Sequence, residues 1–210
     1  MNSFKQFFLY FLLLVSVNAY AAGIPEIQKR WAVANYEKTG DAQTAAFEAL
    51  VEDVNQEVAA NRGNAELLIW KAIVESTYAG KASGFSALSL VKSARDALES
   101  AMEIDPQALN GSVYTSLGAL YYQVPPWPIA FGSSKKARKL LRKALEVNPE
   151  GIDSNYFYGA FLVEEREYGE AKTALLKAMN APKRPGREIA DRGRRTEIRQ
   201  LLDRIAEKGI

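Results

Sequence analysis

Chemistry in this sequence has to come from carboxylates, lysines, tyrosines and serines, because its 210 residues include no histidine and no cysteine. That removes an imidazole base, a thiol nucleophile, disulfides, and metals held by His or Cys. The carboxylates on offer, Glu164–Glu165 and Asp53 with Glu57, have the spacing of an ordinary helix surface, not the opposed placement of an acid–base pair. Gly80 to Gly84 lacks the Lys-Ser/Thr of a phosphate loop, and no oxygen-rich loop matches a calcium site. Asp105 and Asp153 read as helix-boundary caps. No catalytic residue, metal or cofactor is expected, and the chain reads as non-enzymatic. What remains is recognition. Trp127, Ile129 and Phe131 are large apolar side chains in a proline-rich stretch, and tyrosines recur at helical spacing.

These residues need elements to position them. The chain is rich in Ala and Leu at three- and four-residue spacings, which reads as all-α. Three segments align: ARDALESAMEIDP from Ala94, ARKLLRKALEVNP from Ala137, and AKTALLKAMNAP from Ala171. Ala137, Leu141 and Ala144 recur at one constant offset as Ala171, Leu175 and Ala178, and the first segment precedes the second by a larger one. The constant offset is the period of about 34 residues that marks the tetratricopeptide hairpin. In each segment small residues let two helices approach closely, a Leu fills the groove between them, and a Pro follows the second helix. The upstream helices carry Lys71-Ala72, Leu117-Gly118 with Tyr121, and Tyr158-Gly159 with Leu162. The expected architecture is a tetratricopeptide-like α-solenoid with repeats near 25–62, 65–106, 109–149 and 152–182. A helix over 186–208 would cap it with a polar outer face. Asn64 is an expected N-cap, as is Ser133 or Ser134.

Two insertions break the period. Gln123 to Ser134 contains Pro125, Pro126 and Pro128, which forbid regular helix. Its apolar side chains are expected to be buried, either in the solenoid groove or against a ligand or partner. Ala79 to Ser86 is expected to be a small flexible loop anchored by Phe85.

The segment 1–21 is a separate unit. One charge, Lys5, precedes an apolar run from Phe7 to Val17, followed by Ala19-Tyr20-Ala21. This is the pattern of a cleavable secretory signal peptide. The run is shorter than the roughly 20 residues a spanning helix needs. A single mature domain, 22–210, is therefore expected in the periplasm of a Gram-negative bacterium, with no stable membrane span. The formal net charge of +2 and the acids interleaved among Arg192, Arg194 and Arg195 argue against nucleic acid as a partner.

The stretch YYQVPPWPIAFGSSKKARKLLRKALEVNPEGIDSNYFYGAFLVEE, Tyr121 to Glu165, resembles periplasmic tetratricopeptide proteins. These are grouped with the T component (TatT-like) of tripartite ATP-independent periplasmic (TRAP) transporters. The Pro-Trp-Pro loop and the Asn-Pro-Glu-Gly-Ile-Asp segment carry the resemblance most specifically. It implies an all-helical scaffold that associates with a periplasmic solute-binding protein and can form ring-like homo-oligomers around an apolar cleft or pore. Some members are lipoproteins, and this chain departs from them in having no Cys to carry the lipid. By resemblance to the repeat, Asp153, Tyr156, Ala160, Val163 and Glu164 face the concave groove. Ser112, Thr115, Ala119, Tyr122 and Gln123 do the same one hairpin earlier. Two functions follow as expectations. One is a protein-binding scaffold using Tyr122, Trp127, Asp153, Tyr156 and Glu164. The alternative is a carrier of a small hydrophobic ligand in an apolar pocket made by Trp127, Phe131 and the tyrosines.

Overall fold

Glycines paired with leucines set how closely the helices pack. In the computed structural model, which describes residues 23–209, a Cβ on Gly118 would lie 2.8 Å from Leu141 Cγ. A Cβ on Gly159 would lie 2.8 Å from Leu175 Cγ. The same close approach thus recurs in two successive hairpins. The stretch from Gly118 to Leu141 is longer than that from Gly159 to Leu175, and the proline-rich loop accounts for the difference.

Among the described residues the chain forms nine helices: α1 (Ile24–Tyr36), α2 (Gly40–Ala60), α3 (Ala65–Ala79), α4 (Gly84–Ile104), α5 (Ala108–Gln123), α6 (Ser134–Val147), α7 (Ile152–Glu164), α8 (Tyr168–Met179) and α9 (Glu188–Ala206). The segment read as a signal peptide lies outside the described residues. Helix starts follow local chemistry. Pro25 sits in the first turn of α1, where no amide donor is needed. Asn64 Oδ1 accepts from Leu67 N at 3.1 Å, and Ser133 Oγ accepts from Lys136 N at 3.3 Å. Asp105 stands at the C-terminal boundary of α4, and its carboxylate accepts from Gln107 N at 2.8 Å in the turn that leads to α5.

The fold is all-α, a tetratricopeptide-like solenoid of hairpins α1–α2, α3–α4, α5–α6 and α7–α8 with α9 at its end. Odd-numbered helices form an inner layer in which each touches the next, while α2, α4, α6 and α8 lie outside them. The inner layer closes, because α9 packs on α7 and α8 and also on α1. Two hydrophobic clusters form the core. One, around Phe47, Trp31 and Trp70, takes Ala190 from α9; the other, around Phe161, Leu141 and Leu175, takes Ile198 and Ile205 from α9. Fully burying a side chain of that size is worth about 1.5–3 kcal/mol. Helix α9 is therefore an integral wall of the structure. It is the expected capping helix over the last hairpin, and it reaches α1 as well.

Both insertions differ from expectation. The Ala79–Ser86 segment is a short turn followed by the first residues of α4, and Phe85 is 92% exposed, so it anchors nothing. In the proline-rich loop Phe131 is half-buried, its ring edge-on to Tyr121 at 5.7 Å, but Trp127 is 84% and Ile129 69% exposed. Gly132 lets the loop pass close to α5, since a Cβ there would lie 1.9 Å from the Val124 carbonyl. Gly132 N donates to Pro125 O at 2.9 Å and Ser133 N to Tyr121 O at 2.8 Å. The loop base is fixed, and its apolar tip stands in solvent.

Candidate functional site

Closing the inner layer shapes a cavity of about 500 Å³ that stays partly open to solvent. Every inner helix contributes to it: Trp31 and Tyr36 from α1, Trp70 and Thr77 from α3, Thr115 and Ser116 from α5, Asp153 and Tyr156 from α7, and Arg194 and Glu197 from α9. Arg184 and Arg187 enter from the segment before α9. The backbone at the start of α5 also reaches it, with Leu109, Asn110 and Gly111 at φ 51, 55 and 70°. Gly and Asn tolerate that left-handed conformation, whereas for Leu109 it costs about 1–2 kcal/mol. Leu109 offsets this by packing against both core clusters.

One side of the cavity is a charge network. Arg184 Nη1 donates to Asp153 Oδ2 at 2.7 Å and its Nε to Asp191 Oδ1 at 2.8 Å. Arg194 Nε donates to Asp153 Oδ1 at 2.9 Å, and its Nη1 to Glu197 Oε2 at 2.5 Å. The Arg194 guanidinium also lies 4.1 Å from the Tyr156 ring centre and 4.7 Å from that of Phe157. The Asp153 side chain keeps 33% of its surface accessible. Burial by itself raises the Asp153 pKa; Arg194 and Arg184 outweigh that and hold the carboxyl well below the usual carboxylate range. Burial likewise pushes the Tyr36 and Tyr156 hydroxyls up.

Arg187 differs from its neighbours. Its guanidinium carbon lies 5.1 Å from the Trp70 ring centre, and its Nε is buried with no hydrogen-bond partner. Burial, followed by the like charge of Arg184, lowers its pKa. A cation–π contact is worth about 0.5–2 kcal/mol, and among the described residues Arg187 makes no ion pair to add to it. Trp70 Nε1 is also buried without an acceptor, while Trp31 Nε1 donates to Thr77 Oγ1 at 3.0 Å.

Of the residues the sequence singles out, the structure brings Ser112, Thr115, Ala119, Gln123, Asp153 and Tyr156 to this cavity. Asp153 is not simply a cap, since its carboxylate faces two guanidinium groups. Tyr122 lies outside the lining, its ring 5.7 Å from Phe161, with its hydroxyl accepting from Gln123 Nε2 at 3.2 Å. Glu164 is exposed beside Arg204, 3.4 Å away, in a separate hollow of about 290 Å³. Trp127 and Phe131 do not line the cavity, so the expected apolar pocket of Trp127, Phe131 and tyrosines is not assembled among the described residues. Its place is taken by a cavity whose lining mixes amide, hydroxyl and guanidinium groups with Trp31, Trp70, Ile73 and Phe157.

Sequence reasoning missed Arg184, Arg187, Arg194, Glu197 and Trp70. A signal for one of them was present. Asp191 and Arg194 share a helical stripe with Ile198, Leu201 and Ile205, and charges on an apolar stripe mark a buried pair. Among the described residues no group of three acidic side chains is placed to hold a metal, and no helix is long and apolar enough to cross a membrane.

No protein-family model matches this sequence, and no curated protein matches it. Two solved crystal structures of MamA are similar in architecture. One is 17% identical with a TM-score of 0.45, covering 86% of this chain and 91% of the other. The second is 18% identical with a TM-score of 0.46, covering 80% and 91%. Neither bears on function.

Proposed function

We propose that this protein is a non-enzymatic binding scaffold of the bacterial periplasm that docks another protein through the loop carrying Trp127. The finer reading follows the resemblance to TRAP transporter accessory components, with a periplasmic solute-binding protein as the partner. The observation that carries the proposal is the exposed Trp127 on a loop whose base is pinned to α5. A rigid, solvated tryptophan costs little entropy to bury in a partner, and such residues dominate interface energetics. Beside it Ile129 extends the apolar tip. The network of guanidinium and carboxylate groups along one wall of the cavity favours this reading over a carrier of an apolar ligand.

The test is purification of the mature protein from the periplasm under mild crosslinking, with and without Trp127→Ala. A solute-binding protein recovered near one to one and lost with the folded variant would support the reading. Equal recovery with the variant would remove the loop from the interface. Recovery of the chain alone would remove the partner.

A further inference from the structure

Four guanidinium groups and three carboxylates meet where α7 and α9 face the cavity. Arg184 and Arg194 hold Asp153, Arg184 and Arg195 hold Asp191, and Arg194 also holds Glu197. Each carboxylate is thus taken, and Arg187 is left over. Its buried Nε has no acceptor. Directly beneath it, with the ring centre at 5.1 Å, Trp70 buries an indole N–H that also has no acceptor. Both residues line the cavity. Native interiors seldom leave two neighbouring donors unpaired, and each one calls for an explanation.

A guanidinium that makes no ion pair among the described residues, with an unpaired indole N–H beside it, is the complement of a carboxylate. We propose that the cavity binds a small organic monocarboxylate, with its carboxylate on Arg187 and Trp70 and its body among Trp31, Tyr156 and Phe157. About 500 Å³ is the size of an ordinary small-molecule site, and aromatic walls with a few convergent polar groups are its usual lining. Lys81 also lines the cavity but is exposed to solvent, so one carboxylate matches the partly buried charge of Arg187, and a neutral ligand would leave that charge unmatched. This site is separate from the Trp127 loop, and either assignment can fail without the other.

The probes are acetate, benzoate and indole-3-acetate, each compared with its neutral amide at constant ionic strength, using the thermal unfolding midpoint of the full mature chain. At least one carboxylate should raise the midpoint where its amide does not. Arg187→Met should abolish that difference while leaving the ligand-free protein as stable as the parent or more so, since it removes a guanidinium that makes no ion pair among the described residues. Trp70→Phe should weaken binding by roughly tenfold. If no carboxylate outperforms its amide, or if the shift survives Arg187→Met, the proposal is overturned. Should Arg187→Met fail to fold, an undiminished response in Trp70→Phe overturns it instead. Inorganic phosphate matching the best carboxylate would overturn the assignment to an organic carboxylate.

Discussion

Gly193 of α9 lies so close to Tyr36 of α1 that a Cβ there would fall 2.4 Å from Tyr36 Cδ1. Nearby, Tyr36 OH donates to Glu197 Oε2 at 3.4 Å and Arg192 Nη2 to Glu37 Oε1 at 2.9 Å. The last of the described helices is thereby fitted to the first, and the fit shapes the cavity.

Gly193→Ala tests that closure. In an exposed helix interior the change would stabilise by up to about 1 kcal/mol. Overpacking against the Tyr36 ring costs about 1–3 kcal/mol. We expect net destabilisation in urea unfolding, reversed by adding Tyr36→Leu. A more stable single variant would show that α9 does not rest on Tyr36.

Asp153→Asn should cost about 3 kcal/mol, the lower end for breaking a buried ion pair, because part of the carboxylate remains accessible. The pH dependence follows in sign. The folded protein holds the Asp153 proton less readily than the unfolded chain, where Asp titrates near ~3.9. Its stabilisation is present above that value and is lost as pH falls below about 4 toward the depressed folded pKa. Unfolding midpoints measured from pH ~6 to ~2 should therefore fall less steeply for Asp153→Asn than for the parent.

Gly159→Ala should destabilise by about 1–3 kcal/mol through contact with Leu175, and Leu175→Val should relieve part of that cost. A double-mutant cycle reads the coupling directly. Additive effects would mean that the two helices can separate freely.

The proline-rich loop should divide into a structural and a displayed part. Phe131→Ala, which removes the ring from Tyr121 and from Arg95 4.7 Å away, should cost about 2 kcal/mol. Trp127→Ala should change stability by less than ~0.5 kcal/mol. Equal losses in urea unfolding would mean that Trp127 is buried in solution.

The hairpins are legible because their causes are local. Ala, Leu and Gly at fixed spacing dictate which faces of two adjacent helices meet, and Gly118 with Leu141 or Gly159 with Leu175 carry that rule within a single hairpin. Asn64 and Ser133 announce helix starts for the same reason, since a cap acts on an amide in the next turn of chain. The candidate site is legible only in part. Ser112, Thr115, Asp153 and Tyr156 follow from repeat register, whereas the apolarity of Trp127 and Phe131 and their place in an insertion do not say which way the loop turns. The loop's own hydrogen bonds keep its tip out of the groove.

By itself the sequence determined the all-α class, the hairpin period and the exclusion of imidazole and thiol chemistry, because each depends on residue type and near-neighbour spacing. Tertiary structure alone decided that α9 returns to α1, that Arg184 and Arg194 converge on Asp153 from 31 and 41 residues away, and that Arg187 lies over Trp70 with its Nε unpaired. A solenoid's closure is the accumulated rotation of every hairpin, a small angle in each that no local pattern of residues records.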